Sequence, residues 1–140
     1  MRHIEEIKAD GLQEMFSADA VRYGDLVFVS GCVPLDTAGN LIGRGDLERQ
    51  TRKTLENLEL VLRSAGTDFE HVLKTTVYLT DIEQRGVTHA IRREIFGARP
   101  PASTMVEVSG LGGEGIEIEI DAIAAIPASS ADASGDGASG

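Results

Sequence analysis

Near the end of the chain acidic and apolar residues alternate, Ile116-Glu117-Ile118-Glu119-Ile120-Asp121. That spacing makes the three acids the first candidates for chemistry. Successive side chains of a β-strand point to opposite faces, so Glu117, Glu119 and Asp121 share one face and the isoleucines the other. Two readings are open. The acids form the solvated side of an amphipathic strand, where acids usually sit; or one of them stands in a pocket, its pKa raised to suit proton transfer near neutral pH. The one cysteine, Cys32, is either a small buried hydrophobe or a nucleophile, and no neighbouring charge in the sequence lowers its pKa. The Gly112-Gly113 pair lacks the surrounding fingerprint of a phosphate loop.

The elements that position these residues must fit into 140 residues, enough for one domain with a real core and too few for two. Thirteen basic against 23 acidic side chains give a net charge of −10, which repels phosphate backbones and anionic lipid. Nucleic acid and membrane are therefore not expected as partners. A single cysteine excludes an intrachain disulfide framework and a Cys-rich zinc site. Met1 to Asp10 has no signal-like apolar core, and nowhere do 18 apolar residues run together. The expectation is a soluble cytoplasmic protein.

In chain order, Arg2 to Ala9 suits a short edge strand and Asp10 to Asp19 is polar. Ala20 to Tyr23, the turn Gly24-Asp25 and Leu26 to Gly31 read as a hairpin whose second strand is apolar on both faces. Asp36 to Asn40 and Gly43 to Gly45 read as loop. Asp46 is a natural N-cap for a helix bearing Leu47, Thr51, Thr54, Leu55, Leu58, Val61, Leu62 and Ala65 on one stripe, and Gly66 a natural stop. His71 to Leu79 reads as a strand. Ile82 to Phe96 reads as a second helix with Val87, Ala90, Ile91 and Ile95 buried. Pro100-Pro101 breaks the chain before a strand at Ser103 to Val108. The sum is an α+β sandwich, a mixed sheet with two helices on one face. Its other face keeps apolar positions that another copy of the sheet would cover, so a homo-oligomer is expected. Residues 128–140, rich in Ala, Ser, Gly and Asp, read as a disordered tail after a domain at 1–127.

Five blocks in this order resemble the reactive-intermediate deaminase (Rid, YjgF-like) family. They are Gly24 to Gly31; Gln50-Thr51 with Leu55 to Leu58; Val72 to Asp81; Arg99 to Ala102 with Val106 to Val108; and Ile118 to Ile123. The resemblance implies a chorismate-mutase-like subunit, a homotrimer with clefts between subunits, and hydrolysis of reactive imines or enamines to ketones and ammonia with neither metal nor organic cofactor. It also implies site residues. Glu119 matches the family's catalytic acid, orienting or deprotonating water or protonating the enamine carbon, while backbone amides near Ser30 and Gly31 hold the carbonyl-like end.

The other positions depart from the family pattern. Ser103 stands where deaminating members carry an arginine that binds the substrate carboxylate, and this argues against ordinary 2-imino acids as substrates. Met105 replaces a cysteine, Cys32 a common glutamine, and Phe16 the tyrosine before the first family strand. His89, in place of an asparagine of the second helix, has a side chain that titrates near neutrality and could work with Glu119. Arg92, in place of a tyrosine, is a solvated helix charge or the cation that Ser103 lacks. The functional expectation is a hydrolase acting on a small imine, enamine or related intermediate of a specialised pathway. The alternatives are a small-molecule binder or interaction protein on the same scaffold, and an enzyme using the cleft for other acid–base chemistry.

Overall fold

The computed structural model describes residues 3–128. Its strands are β1 (Ile4–Ile7), β2 (Ala20–Tyr23), β3 (Leu26–Cys32), β4 (Val72–Leu79), β5 (Ala102–Glu107) and β6 (Ile118–Ala125), with helices α1 (Leu47–Ser64) and α2 (Arg85–Phe96). The strands form one sheet in the order β1-β2-β3-β6-β4-β5. All neighbours are antiparallel except β4 and β5. That parallel pair needs a crossover, and α2 supplies it. The fold is the expected α+β sandwich with two helices on one face of a mixed sheet. Among the described residues no helix is long and apolar enough to cross a membrane. The tail expected at residues 128–140 lies, except for Ala128, outside the described residues.

Local chemistry accounts for the elements. The β2–β3 hairpin closes on Gly24 and Asp25, with Tyr23 paired to Leu26. Gly24 takes φ +63°, the left-handed conformation that such a two-residue turn requires at its first position. Helix α1 starts where the Asp46 side chain accepts from Arg49 N–H at 3.1 Å. It ends in a Schellman arrangement: Thr67 N–H donates to Leu62 O, Gly66 N–H to Arg63 O, and Gly66 has φ +85°. The expected stripe of α1 is buried, joined by Gln50 and Asn57. It packs on Val27, Val29, Val77, Leu79, Ile118, Ile120, Ala122 and Ala124 to form one core.

One expectation needs correction. The second helical segment begins with a 3₁₀ turn at Ile82–Gln84, and α2 buries Thr88, Ile91 and Phe96, while Val87 and Ala90 are exposed. The helix is rotated because Thr88 Oγ1 meets Thr51 Oγ1 at 3.3 Å, and these two small polar residues let the helices approach closely. Strand β3 is covered on one face only. Val27 and Val29 are buried, whereas Leu26 and Phe28 remain 40% and 46% exposed on the sheet face that carries no helix.

Candidate active site

The structure brings Ser30, Gly31 and Glu119 together on the open face of the sheet. Strand β3 pairs Val29 with Ala122 and Cys32 with Ile120, so an extra residue is inserted and both Ser30 and Gly31 come opposite Asp121. This bulge turns the β3 backbone towards β6. Glu119 lies directly over Gly31: a methyl built there would stand 2.7 Å from Glu119 Cδ and 3.0 Å from Cγ. Its carboxyl is half-buried, and burial, with the nearby charge of Asp121 second, raises its pKa above the usual carboxylate value. The surroundings of Glu119 thus favour holding a proton.

Tyr78 of β4 is the register partner of Glu119 and donates its hydroxyl to Asp121 Oδ2 at 2.9 Å. Glu117 belongs elsewhere, because its Oε2 accepts from Gln50 Nε2 at 3.3 Å. Glu119 and Gly31 line a cleft of about 580 Å³ that also takes in Gln13, Met15, Arg44 and Ile116.

Two polar residues on the buried stripe of α1 hold the walls of this cleft. Gln50 donates to Gly43 O at 3.2 Å and Gly115 O at 2.9 Å and accepts from Glu117 N–H at 2.8 Å, fastening the turn that leads into β6. Asn57 donates to Val33 O at 2.8 Å and Leu35 O at 3.0 Å, fixing the chain as it leaves β3. Neither was singled out as a site residue from sequence. The available signal was an amide on an otherwise apolar helical stripe, because a buried amide requires partners.

The remaining candidates lie elsewhere in the chain. Cys32 is buried on the helix-covered face and lines a small apolar cavity of about 70 Å³. Burial first, then Asp19, Glu119 and Asp121, pushes its thiol up to about 12, so it is a neutral thiol and no nucleophile. The Ser30 amide donates to Asp19 O at 2.9 Å and its hydroxyl to Ala18 O at 2.7 Å; both donors are therefore engaged, against the expectation that its backbone amide holds a substrate oxygen. Phe16 is fully exposed and lines neither described cleft; Met15 takes that place in the Glu119 cleft.

Ser103 and Met105 pair with Thr75 and Val77 of β4, whose side chains are buried under the helices. They therefore face the helix layer, as does Arg92 of α2, which donates from Nη2 to Ser103 Oγ at 2.6 Å. His89 shares a second cleft with Arg92 and Ser103. Burial first, then Arg92, Arg93 and Arg85, lowers its pKa. Within one chain, then, His89 and Arg92 lie across the sheet from Glu119, and the expected pairing of His89 with Glu119 is not made there.

A mixed sheet backed by two helices, with a glutamate over a glycine bulge on its open face, defines a YjgF/Rid-type subunit. The sequence agrees: residues 8–126 match the family model described as Endoribonuclease L-PSP, and the chain belongs to that family, which includes the YjgF and Rid proteins. It is 38% identical over 107 residues to a RutC family protein of Pyrococcus horikoshii, covering 76% of this chain and 84% of that protein. It is 35% identical over 107 residues to the 2-iminobutanoate/2-iminopropanoate deaminase of Rattus norvegicus, covering 76% and 77%. Among solved structures, YyfA of the Rid family from Yersinia pestis superposes with a TM-score of 0.83 at 30% identity, over 89% of this chain and all of that one.

Proposed function

We propose that this protein is a cofactor-independent hydrolase that releases ammonia from a small imine or enamine. The observation that carries this reading is the half-buried Glu119 carboxyl over Gly31, with its pKa raised by burial. In the ionised form Glu119 takes a proton from water as the oxygen adds to the C=N carbon. That proton is passed to nitrogen to give a carbinolamine; its hydroxyl proton then moves to nitrogen by way of Glu119 as the C–N bond breaks, and a ketone and ammonia leave. For an enamine, protonated Glu119 first delivers a proton to carbon, which makes the iminium ion and leaves Glu119 ionised to activate the water. Relatives named as 2-iminobutanoate/2-iminopropanoate deaminases support the reaction class. The family description also names an endoribonuclease, but a net charge of −10 opposes binding to a phosphate backbone.

The reading includes assembly. Leu26, Phe28 and Val106 leave apolar surface on the open sheet face, and we take its occupant to be another copy of the sheet in a closed trimer. In such a trimer Glu119 of one subunit faces the Arg92 side of a neighbour, giving an intersubunit cleft. The test is ammonia release from imines generated in situ by an amino-acid oxidase. Glu119→Gln keeps the shape and removes the titrating group, and turnover is expected to fall about 10²-fold or more. Equal turnover of the two proteins, both sedimenting near three times 14.9 kDa, would overturn the reading.

A further inference from the structure

Three polar side chains of the Glu119 cleft are seated in the same way, each against a glycine. Glu119 lies over Gly31, a methyl built on Gly39 would stand 2.9 Å from Gln13 Cδ, and one built on Gly115 would stand 2.6 Å from Arg44 Nη1 and 3.2 Å from its Cζ. Any side chain at 115 would displace the guanidinium, so glycine is what lets Arg44 lie against the backbone there. Its seat is also tied from beneath. The fully buried Gln50 donates to both Gly43 O and Gly115 O, which joins the residue before Arg44 to the residue that its guanidinium covers.

The guanidinium so placed is not used up within the chain. Among the described residues Arg44 makes neither an ion pair nor a side-chain hydrogen bond, although Glu114, an exposed acid, lines the same cleft. Its planar fork of N–H donors is therefore left for an oxyanion. Met15, Leu41 and Ile116 also line the cleft and add apolar wall. Gly115 and Glu119 are four residues apart, so their Cα atoms are separated by at most about 14 Å. A short carbon chain with its reacting end at Glu119 can thus reach the cation.

We propose that Arg44 is a specificity-determining residue that holds an anionic group at the tail of the substrate, several bonds away from the carbon that Glu119 serves. The ligand class is a small imine or enamine, or its ketone product, with an apolar middle and a carboxylate at the far end. Arg44 belongs to the loop before α1 and to the same chain as the Glu119 beside it, so this contact is made without helix α2 or strand β5. The inference deepens the hydrolase reading and rests on it for the reacting end of the ligand.

The test titrates three stable ketones into the full-length assembled protein: 6-oxoheptanoate, 2-heptanone as its uncharged counterpart of equal length, and pyruvate, whose carboxylate adjoins the carbonyl. Wild type is expected to bind 6-oxoheptanoate more tightly than 2-heptanone. Arg44→Gln should cut that preference about tenfold, because it removes hydrogen bonds to a charged group, while changing pyruvate binding little. Arg44→Lys should lie between, keeping charge without the fork. Glu114→Gln removes a like charge from the cleft and should raise the preference several-fold. Arg63→Gln makes the same change of charge on a residue paired with Glu59 on the helix surface, and should leave the preference as it is. Circular dichroism and sedimentation establish that each variant is folded and assembled, and the lysine and Glu114 variants keep the test decisive if Arg44→Gln is not. The proposal is overturned if wild type binds 6-oxoheptanoate no better than 2-heptanone, if the Arg44 variants keep the preference, or if Arg44→Gln weakens pyruvate as much as the longer acid. Ammonia release separates the two claims. An Arg44-dependent preference in a protein that hydrolyses no imine would sink the hydrolase reading alone, whereas imine hydrolysis with no such preference would sink the tail contact alone.

Discussion

Replacing Gly31 with alanine tests the geometry of the acid without touching the acid itself. Gly31 has no positive φ, so alanine carries no backbone penalty and the perturbation is purely the added methyl. That methyl would lie 2.7 Å from Glu119 Cδ, whereas an unstrained carbon contact is about 3.5–4.0 Å. The carboxyl must therefore retreat by about 1 Å. It terminates a flexible side chain near the start of strand β6 and faces a cleft, so the fold should yield cheaply, at or below the low end of the ~1–3 kcal/mol typical of overpacking. Catalysis should not, since a displacement of about 1 Å at a reacting group can cost on the order of 10²-fold. The assay is kcat/KM for ammonia release alongside a thermal melt. We expect Gly31→Ala to melt within a few degrees of wild type while losing about 10- to 100-fold in kcat/KM. A folded variant with undiminished kcat/KM would refute the claim that the Glu119 carboxyl works from its position over Gly31.

Four further outcomes are expected. Ionised Glu119 is the form that accepts a proton, so kcat/KM for imines should rise with pH through a window above the ordinary carboxylate value of 4.5, a limb absent in Glu119→Gln. The folded chain holds that proton more tightly than the unfolded chain does, so stability falls as pH rises through the same window; chemical denaturation of Glu119→Gln should show this loss removed. The Cys32 thiol, pushed up to about 12, should resist a disulfide-exchange reagent at pH 8 in the native protein and react on unfolding, and rapid native labelling would contradict its burial. Finally, co-expressed Glu119→Gln and Arg92→Gln subunits should hydrolyse imines faster than either variant does alone, because mixed trimers contain clefts with both side chains intact. Failure to recover activity in verified mixed trimers would count against a shared cleft.

What the sequence made legible was local. Helix α1 was readable because its cap, its stripe and its stop are each signalled within a few residues by Asp46, by Leu55, Leu58 and Leu62, and by Gly66. Glu119 stood out through alternation with Ile118 and Ile120. The buried face of α2 is not legible locally, because 87-91-95 and 88-91-95 are both acceptable helical spacings. The choice was made by a contact 37 residues away, Thr88 against Thr51, which no local pattern contains. Gln50 and Asn57 escaped notice as site residues for a similar reason, since their partners lie in loops whose positions only the tertiary fold defines.

The relation between the two halves of the site shows most clearly where local reading stops. Alternation tells that Glu119 points away from Ile118 and that Ser103 points away from Thr104, but it cannot say whether Glu119 and Ser103 share a face. That depends on two registers, β4 with β6 and β4 with β5, and a slip of one residue in either would invert the answer. The observed registers pair Tyr78 with Glu119 and Thr75 with Ser103. Tyr78 and Thr75 are three apart on β4 and so point to opposite faces, which puts the acid on the open face and the serine under α2. A chain that kept to itself would hold these halves on opposite sides of its own sheet. The same open face that carries Glu119 also leaves Leu26 and Phe28 uncovered, so an association of copies through that face would bury those apolar side chains and bring the acid up against a second chain.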